Sequence, residues 1–236
     1  ANKHVFVEKT LCLNEVELAS IDAIMQQNTK ALLMVGFNRR FAPVSVELNK
    51  LFSKITEPKV VNIRVNAGFI PLDHWTQQTD IGGGRIVGEI CHFIDLMQFF
   101  TNAKPIKVYA DCIASNSAQA KNDDNIAIVI RFSDGSIGNL IYVANGDKSL
   151  PKERIEVFAG NICGVINDFK DGMIYKNNKA TSIKSSGKGH SQEVAAFIHA
   201  IEKGAASPIA YESIYATTLT TFKILDAIRT GLPQDV

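Results

Sequence analysis

The chain has 236 residues, 46% of them apolar, with 25 Lys+Arg against 24 Asp+Glu, which suits one large domain or two small ones around a sizeable core. A net charge of +1 leaves no electrostatic footprint for nucleic acid or an acidic membrane. With 21% charged residues, 16 Gly and 7 Pro, the composition excludes a long coiled coil, a collagen-like repeat and a disordered tail. No apolar run reaches the ~18–20 residues of a membrane helix. The opening Ala1-Asn2-Lys3-His4 lacks the apolar stretch of a secretory signal, so the expected address is cytoplasmic. Cys12, Cys91, Cys112 and Cys163 are too scattered for a disulfide framework or a zinc site and read as small buried apolar groups.

In chain order, His4–Val7 reads as a short buried strand ending at Glu8-Lys9. Asn14 with Glu17 three residues on predicts a helix start, and Leu18, Ile21 and Met25 supply its apolar stripe. Residues 31–37 form a second strand. Strand, helix and strand make one βαβ unit with parallel strands. Such a unit needs further strands, so the sequence is expected to be cut from a longer one. Val44, Leu48, Leu51, Phe52 and Ile55 predict a helix stopped near Pro58. Val61, Ile63, Val65 and Ala67 alternate as a half-exposed strand.

A loop with His74, Trp75 and Gly82-Gly83-Gly84 leads into a helix bearing Ile86, Ile90, Phe93, Ile94 and Met97. Beyond it, 106–114, 125–132, 136–143, 154–159, 164–169 and 173–177 read as strands, with Asp134-Gly135 as hairpin turn. Two helices close the chain, one with Val194, Phe197 and Ile201, the other with Ile214, Phe222 and Ile228 before Gly231. The expected fold is α+β: a large, mostly antiparallel open sheet with helices on one face. Residues 39–236 form this domain. Its second sheet face stays fairly apolar, which leaves two readings: pairing of subunits through that face, as a homodimer or homotetramer, or cover by the chain's own loops.

Four groups of residues could carry chemistry. Lys9 stands at the carboxyl end of a parallel strand, where open α/β sheets hold ligands. Glu89, His92 and Asp95 lie at i, i+3 and i+6 after the glycines, and an imidazole with a neighbouring carboxylate suits proton transfer near pH 7. The bland alternative is a ring satisfied at a helix start. Arg39 and Arg40 follow the second strand and could clamp a polar or anionic ligand, or be an ordinary surface pair. Trp75 could offer a stacking surface to a sugar ring, or anchor a core. The single Glu-x-x-His element lacks the second copy that a di-iron bundle needs, so no metal is expected. No Gly-x-Ser-x-Gly, His-Glu-x-x-His or P-loop occurs.

KHVFVEKT at 3–10, VGFNRRFAP at 35–43 and GGGRIVGEICHFIDL at 82–96 resemble the Gfo/Idh/MocA family of nicotinamide-dependent sugar and polyol oxidoreductases. The last of these is similar to the oxidoreductase module of bi-domain proteins associated with surface-polysaccharide synthesis. The resemblance implies a Rossmann domain followed by an open-sheet domain, with hydride transfer between a sugar hydroxyl carbon and NAD or NADP. It places Glu8 and Lys9 in the family's Glu-Lys-Pro motif beside nicotinamide and substrate, and makes His92 the acid/base. Three departures stand out: the dinucleotide glycine fingerprint is absent, Thr10 replaces proline, and Gly88 stands where many members carry Asp. Glu89 is expected to take over that acid's work. The catalytic set is then Lys9, His92 and Glu89, with Arg39, Arg40, Trp75 and Asp95 toward the substrate. The alternative is a non-catalytic sugar-binding or oligomerisation domain that kept the fold and lost the chemistry.

Overall fold

The structure, a computed structural model, describes residues 3–28, 30–116 and 121–236. Strand β1 (Val5–Val7), helix α1 (Glu15–Gln27) and strand β2 (Leu33–Val35) form the expected βαβ unit, its strands parallel with Phe6 opposite Met34. The Asn14 side chain accepts from the Glu17 amide at 2.9 Å, and the Glu17 carboxylate accepts from the Leu13 amide at 2.8 Å. Side chain and backbone thus satisfy each other at the helix start, one residue earlier than in a standard capping box.

A tight turn (Asn38–Phe41) leads to α2 (Pro43–Phe52), which begins on a proline whose fixed φ suits the first helical position. Strand β3 (Val60–Asn66) follows, then a loop with a short helical turn at Trp75–Gln77. A wide π-helical turn (Ile86–Ile90) runs directly into α3 (Cys91–Thr101). Six strands come next: β4 (Pro105–Cys112), β5 (Ile126–Phe132), β6 (Ile137–Val143), β7 (Glu153–Ala159), β8 (Ile162–Asn167) and β9 (Asp171–Lys176). Then come β10 (Lys179–Lys184), α4 (His190–Lys203), α5 (Tyr211–Thr230) and β11 (Gln234–Asp235).

Nine strands make one sheet in the order β10-β9-β8-β7-β3-β6-β5-β4-β11; β3 and β6 run parallel and every other neighbouring pair is antiparallel. Helices cover one face, as the alternation in β5 demands: Ile126, Ile128 and Ile130 are buried while Ala127, Val129 and Arg131 are exposed. Gly164 on β8 leaves room for α2, since a Cβ there would come within 2.9 Å of Leu48 and Phe52. Likewise Gly138 on β6 lies directly under Met97 of α3. A second apolar cluster of Met34, Val35, Phe37, Cys91, Phe197, Ile209 and Ile214 binds β2 to the helices. That cluster fixes the carboxyl ends of β1 and β2 against the start of α3.

Two strands lie outside the sequence reading. Nearly all of β10 is exposed, so it has no inward apolar rhythm. Its hairpin is made by Asn177 and Asn178, both at positive φ, a conformation asparagine tolerates. The two residues of β11 are too few to show a period.

Candidate active site

A cleft of about 410 Å³ opens where the end of β1 meets the glycine loop, lined by Lys9, Thr10, Leu13, Trp75, Gly82, Gly84, Arg85, Gly88 and Glu89, among others. The ammonium of Lys9 donates to the Gly88 carbonyl at 2.7 Å, and the Thr10 hydroxyl donates to the Val87 carbonyl at 2.7 Å. Both acceptors belong to the π-helical turn, so the βαβ unit is fastened to the start of α3 by the two residues after Glu8.

The glycines are dictated by close approach. A Cβ on Gly82 would lie 2.5 Å from the Thr76 Cα and 2.6 Å from the Trp75 carbonyl, and one on Gly88 would lie 2.7 Å from the Gly82 carbonyl. Gly83 and Gly84 have φ of +71° and +66°, conformations an L side chain rarely adopts. The loop therefore lies flat against both the Trp75 turn and the π-helical turn. A side chain at position 88 would not fit, which accounts for glycine there.

His92 sits one turn beyond Gly88, 6% exposed, its ring edge-on to Phe37 at 6.1 Å. Its Nδ1 has no hydrogen-bond partner among the described residues. Burial, then the positive charges of Arg39 and Lys9, hold the imidazole well below its ordinary 6.5. The ring is neutral at pH 7.

The carboxylates expected to serve His92 are engaged elsewhere. Glu89 accepts from the Lys152 ammonium at 2.6 Å and from the Tyr142 hydroxyl at 2.5 Å, with Arg85 at 3.5 Å. Burial works against ionisation, but Lys152, Tyr142 and Arg85 outweigh it and hold Glu89 at about 2. Asp95 is wholly buried and receives Arg40 through both arms, at 2.8 and 2.5 Å. A rotation of i, i+3 and i+6 around a helix separates Asp95 from the cleft side, and the arginine takes it.

Arg39 and Arg40 likewise depart from expectation. The turn at 38–41 tucks both under the sheet instead of out toward ligand. Arg39 is 6% exposed and grips Glu153 with Nε and Nη2, each at 2.9 Å, over the ring of Phe93. Lys188 adds a third donor to Glu153 at 2.7 Å. These are internal ion pairs. Trp75, by contrast, is 59% exposed at the cleft rim, beside His74. Glu8 is exposed at the end of β1, next to Gly36.

Sequence reasoning missed Arg85, Tyr142 and Lys152. Tyr142 is an inward position of β6 that looks like ordinary core, and Lys152 lies in a loop with no local signal. Arg85 directly after three glycines was the one legible hint.

Residues 53–159 match the family model of the GFO/IDH/MocA C-terminal domain. Over that stretch, a little under half of its length, the chain is similar to a Gfo/Idh/MocA C-terminal domain. It is similar to a myo-inositol 2-dehydrogenase of Thermotoga maritima, 29% identical over 67% of this chain and 47% of that protein. An inositol 2-dehydrogenase of Rhizobium meliloti is 25% identical over 87% of this chain and 65% of its own. The chain thus spans about half to two thirds of these curated relatives. Among solved structures, an NAD binding oxidoreductase from Klebsiella pneumoniae superposes with TM-score 0.83 at 17% identity, covering 99% of this chain and 73% of its own; that likeness is one of fold. The domain boundary of the Gfo/Idh/MocA match lies within the open-sheet unit, from the end of α2 to β7.

Proposed function

We propose that this chain forms the substrate side of an NAD- or NADP-dependent dehydrogenase that oxidises a hydroxyl of a sugar, polyol or nucleotide-linked sugar. One observation carries the reading: Lys9 reaches across to the Gly88 carbonyl one turn before a buried neutral His92, beside a cleft of monosaccharide size. The resemblance to inositol dehydrogenases supports the substrate class.

His92, neutral and with Nδ1 unpartnered among the described residues, takes the proton of the reacting hydroxyl. Lys9 holds the oxygen and stabilises the charge developing on it. The ring of Trp75 supports the sugar from the rim. Glu89 acts indirectly in this scheme, by fixing Lys152 and Tyr142 at the floor. Glu8 and Lys9, at the carboxyl end of the parallel pair, fit the nicotinamide end of a dinucleotide; when bound, that group supplies the hydride acceptor. Residues 1–38 are the end of its domain.

The test is nicotinamide reduction by the holoprotein with a panel of sugars and polyols, wild type against His92→Ala. Loss of a general base predicts a fall in turnover of roughly 10²–10⁴-fold with substrate affinity kept. Because the imidazole stays neutral well below pH 6.5, kcat/KM holds level from pH 8 down through 6.5, with its acid limb lower. Unchanged turnover in the variant would refute the role, and cofactor binding without turnover of any sugar would favour an assembly domain.

We also propose association through the open sheet face. Tyr109, Val129, Ile141, Phe158 and Tyr175 are all exposed there, on five strands of the one sheet and on the same side. A twofold pairing would bury them. Light scattering should give a dimer or tetramer, and Val129→Lys should shift it to monomer.

A further inference from the structure

The cleft contains a cation whose hydrogen-bonding capacity is only partly used. Arg85 is 7% exposed and lines the cleft with Lys9. Its Nε has no acceptor among the described residues. Its two remaining contacts are long: 3.3 Å from Nη2 to the Gly68 carbonyl and 3.5 Å from Nη1 to Glu89. Glu89 spends its short contacts on Tyr142 and Lys152. A guanidinium taken out of water needs close, paired acceptors to offset its desolvation. Arg39, in the same molecule, has them, with both arms at 2.9 Å on one carboxylate.

We infer that Arg85 is an anion-recognition residue, and that the ligand of this cleft is a sugar carrying a carboxylate or phosphate. The inference rests on the proposed sugar cleft and narrows it. A guanidinium presents a planar fork that matches a carboxylate or phosphate bidentately. Gly82 and Gly84 line the same cleft and bring no side chain of their own into it, and the Lys121 ammonium lies 3.7 Å from where a Cβ on Gly84 would be. The anion meets Arg85, the ring lies toward Trp75, and a hydroxyl meets Lys9. Tyr142 keeps the guanidinium in place from beneath, its ring centre 5.4 Å away.

The experiment is calorimetric titration of the whole chain with D-glucose, D-glucuronate, glucose 6-phosphate and inorganic phosphate alone. A sugar anion should bind at least about tenfold more tightly than glucose. The tighter of glucuronate and glucose 6-phosphate identifies the anion. Arg85→Gln and Arg85→Lys should both bring that ratio toward one while glucose affinity holds; if Arg85→Gln does not fold, the lysine variant and the wild-type ratio decide. Equal binding of glucose and both anions would overturn the inference and leave the sugar cleft standing, as would a ratio that survives in the variants. Phosphate alone binding as tightly as the sugar anions would also overturn it, as an adventitious ion only. Binding of none of the sugars would overturn both this inference and the cleft itself.

Discussion

Arg39 and Arg40 each hold a fully buried carboxylate with two arms at 2.5–2.9 Å, whereas Arg85 meets its carboxylate once, at 3.5 Å. All three lie on the same face of the sheet and all are largely withdrawn from water. In the first two, Nε and Nη2 are both spent at short range on one buried carboxylate. Around Arg85 the arrangement is open, with donors in excess at a cleft wall. The comparison teaches that a run such as Arg39-Arg40 after a parallel strand says little about ligands until its partners are known. Unspent hydrogen-bonding capacity is the better guide.

The contrast can be broken most forcefully at the closed pairs. Glu153→Leu leaves Arg39 buried without its carboxylate and should cost about 3–5 kcal/mol in urea unfolding; a loss under about 1 kcal/mol would show that the pair is not the fastening described. Gly88→Ala forces a methyl against the Gly82 carbonyl and should cost about 1–3 kcal/mol, together with ligand affinity; unchanged stability and affinity would mean the loop is not held flat.

A smaller effect, with a distinctive pH signature, is expected at Glu193. This residue of α4 is buried with Oε2 unpartnered among the described residues, and burial, then the negative charges of Glu8 and Asp95, push it up to about 8 against the pull of Arg39. Between about 4.5 and 8 the native state keeps a proton that the unfolded chain releases, so native stability falls as pH rises through that window. Glu193→Gln should remove the slope and stabilise the protein at pH 8 by on the order of 1–2 kcal/mol, solvent screening cutting the ~1.4 kcal/mol per pKa unit of an unscreened group, with little change near pH 4. Parallel stability profiles of the two proteins would contradict this. Smallest in stability is Trp75→Ala, within about 0.5 kcal/mol because the ring is exposed, though calorimetric sugar affinity should fall several-fold.

Much of the fold was legible because burial imposes rhythm. The alternation in β5 and the Asn14–Glu17 start of α1 are local signals, and the structure keeps both. Motif order likewise pointed to the family, while the contact of Lys9 with the turn before His92 came only with the structure. The residues whose contacts the spacing did not foretell are those with partners far along the chain. Asp95 is taken by Arg40, 55 positions away, and Glu89 by Lys152, 63 positions away. Nothing in the spacing of Glu89, His92 and Asp95 reveals which acid faces which base. Gly88 was read as a departure, yet its neighbour across the loop explains it sterically.

The central claim is that ligand enters the cleft between Lys9, Trp75 and Gly88. Trp75 is the chain's single tryptophan, so its emission reports on that rim alone. Titrating the protein with sugars and their acids should give a saturable fluorescence change, greatly weakened in Gly88→Ala. Calorimetric sugar binding without any change in Trp75 emission would place the ligand elsewhere and contradict the account.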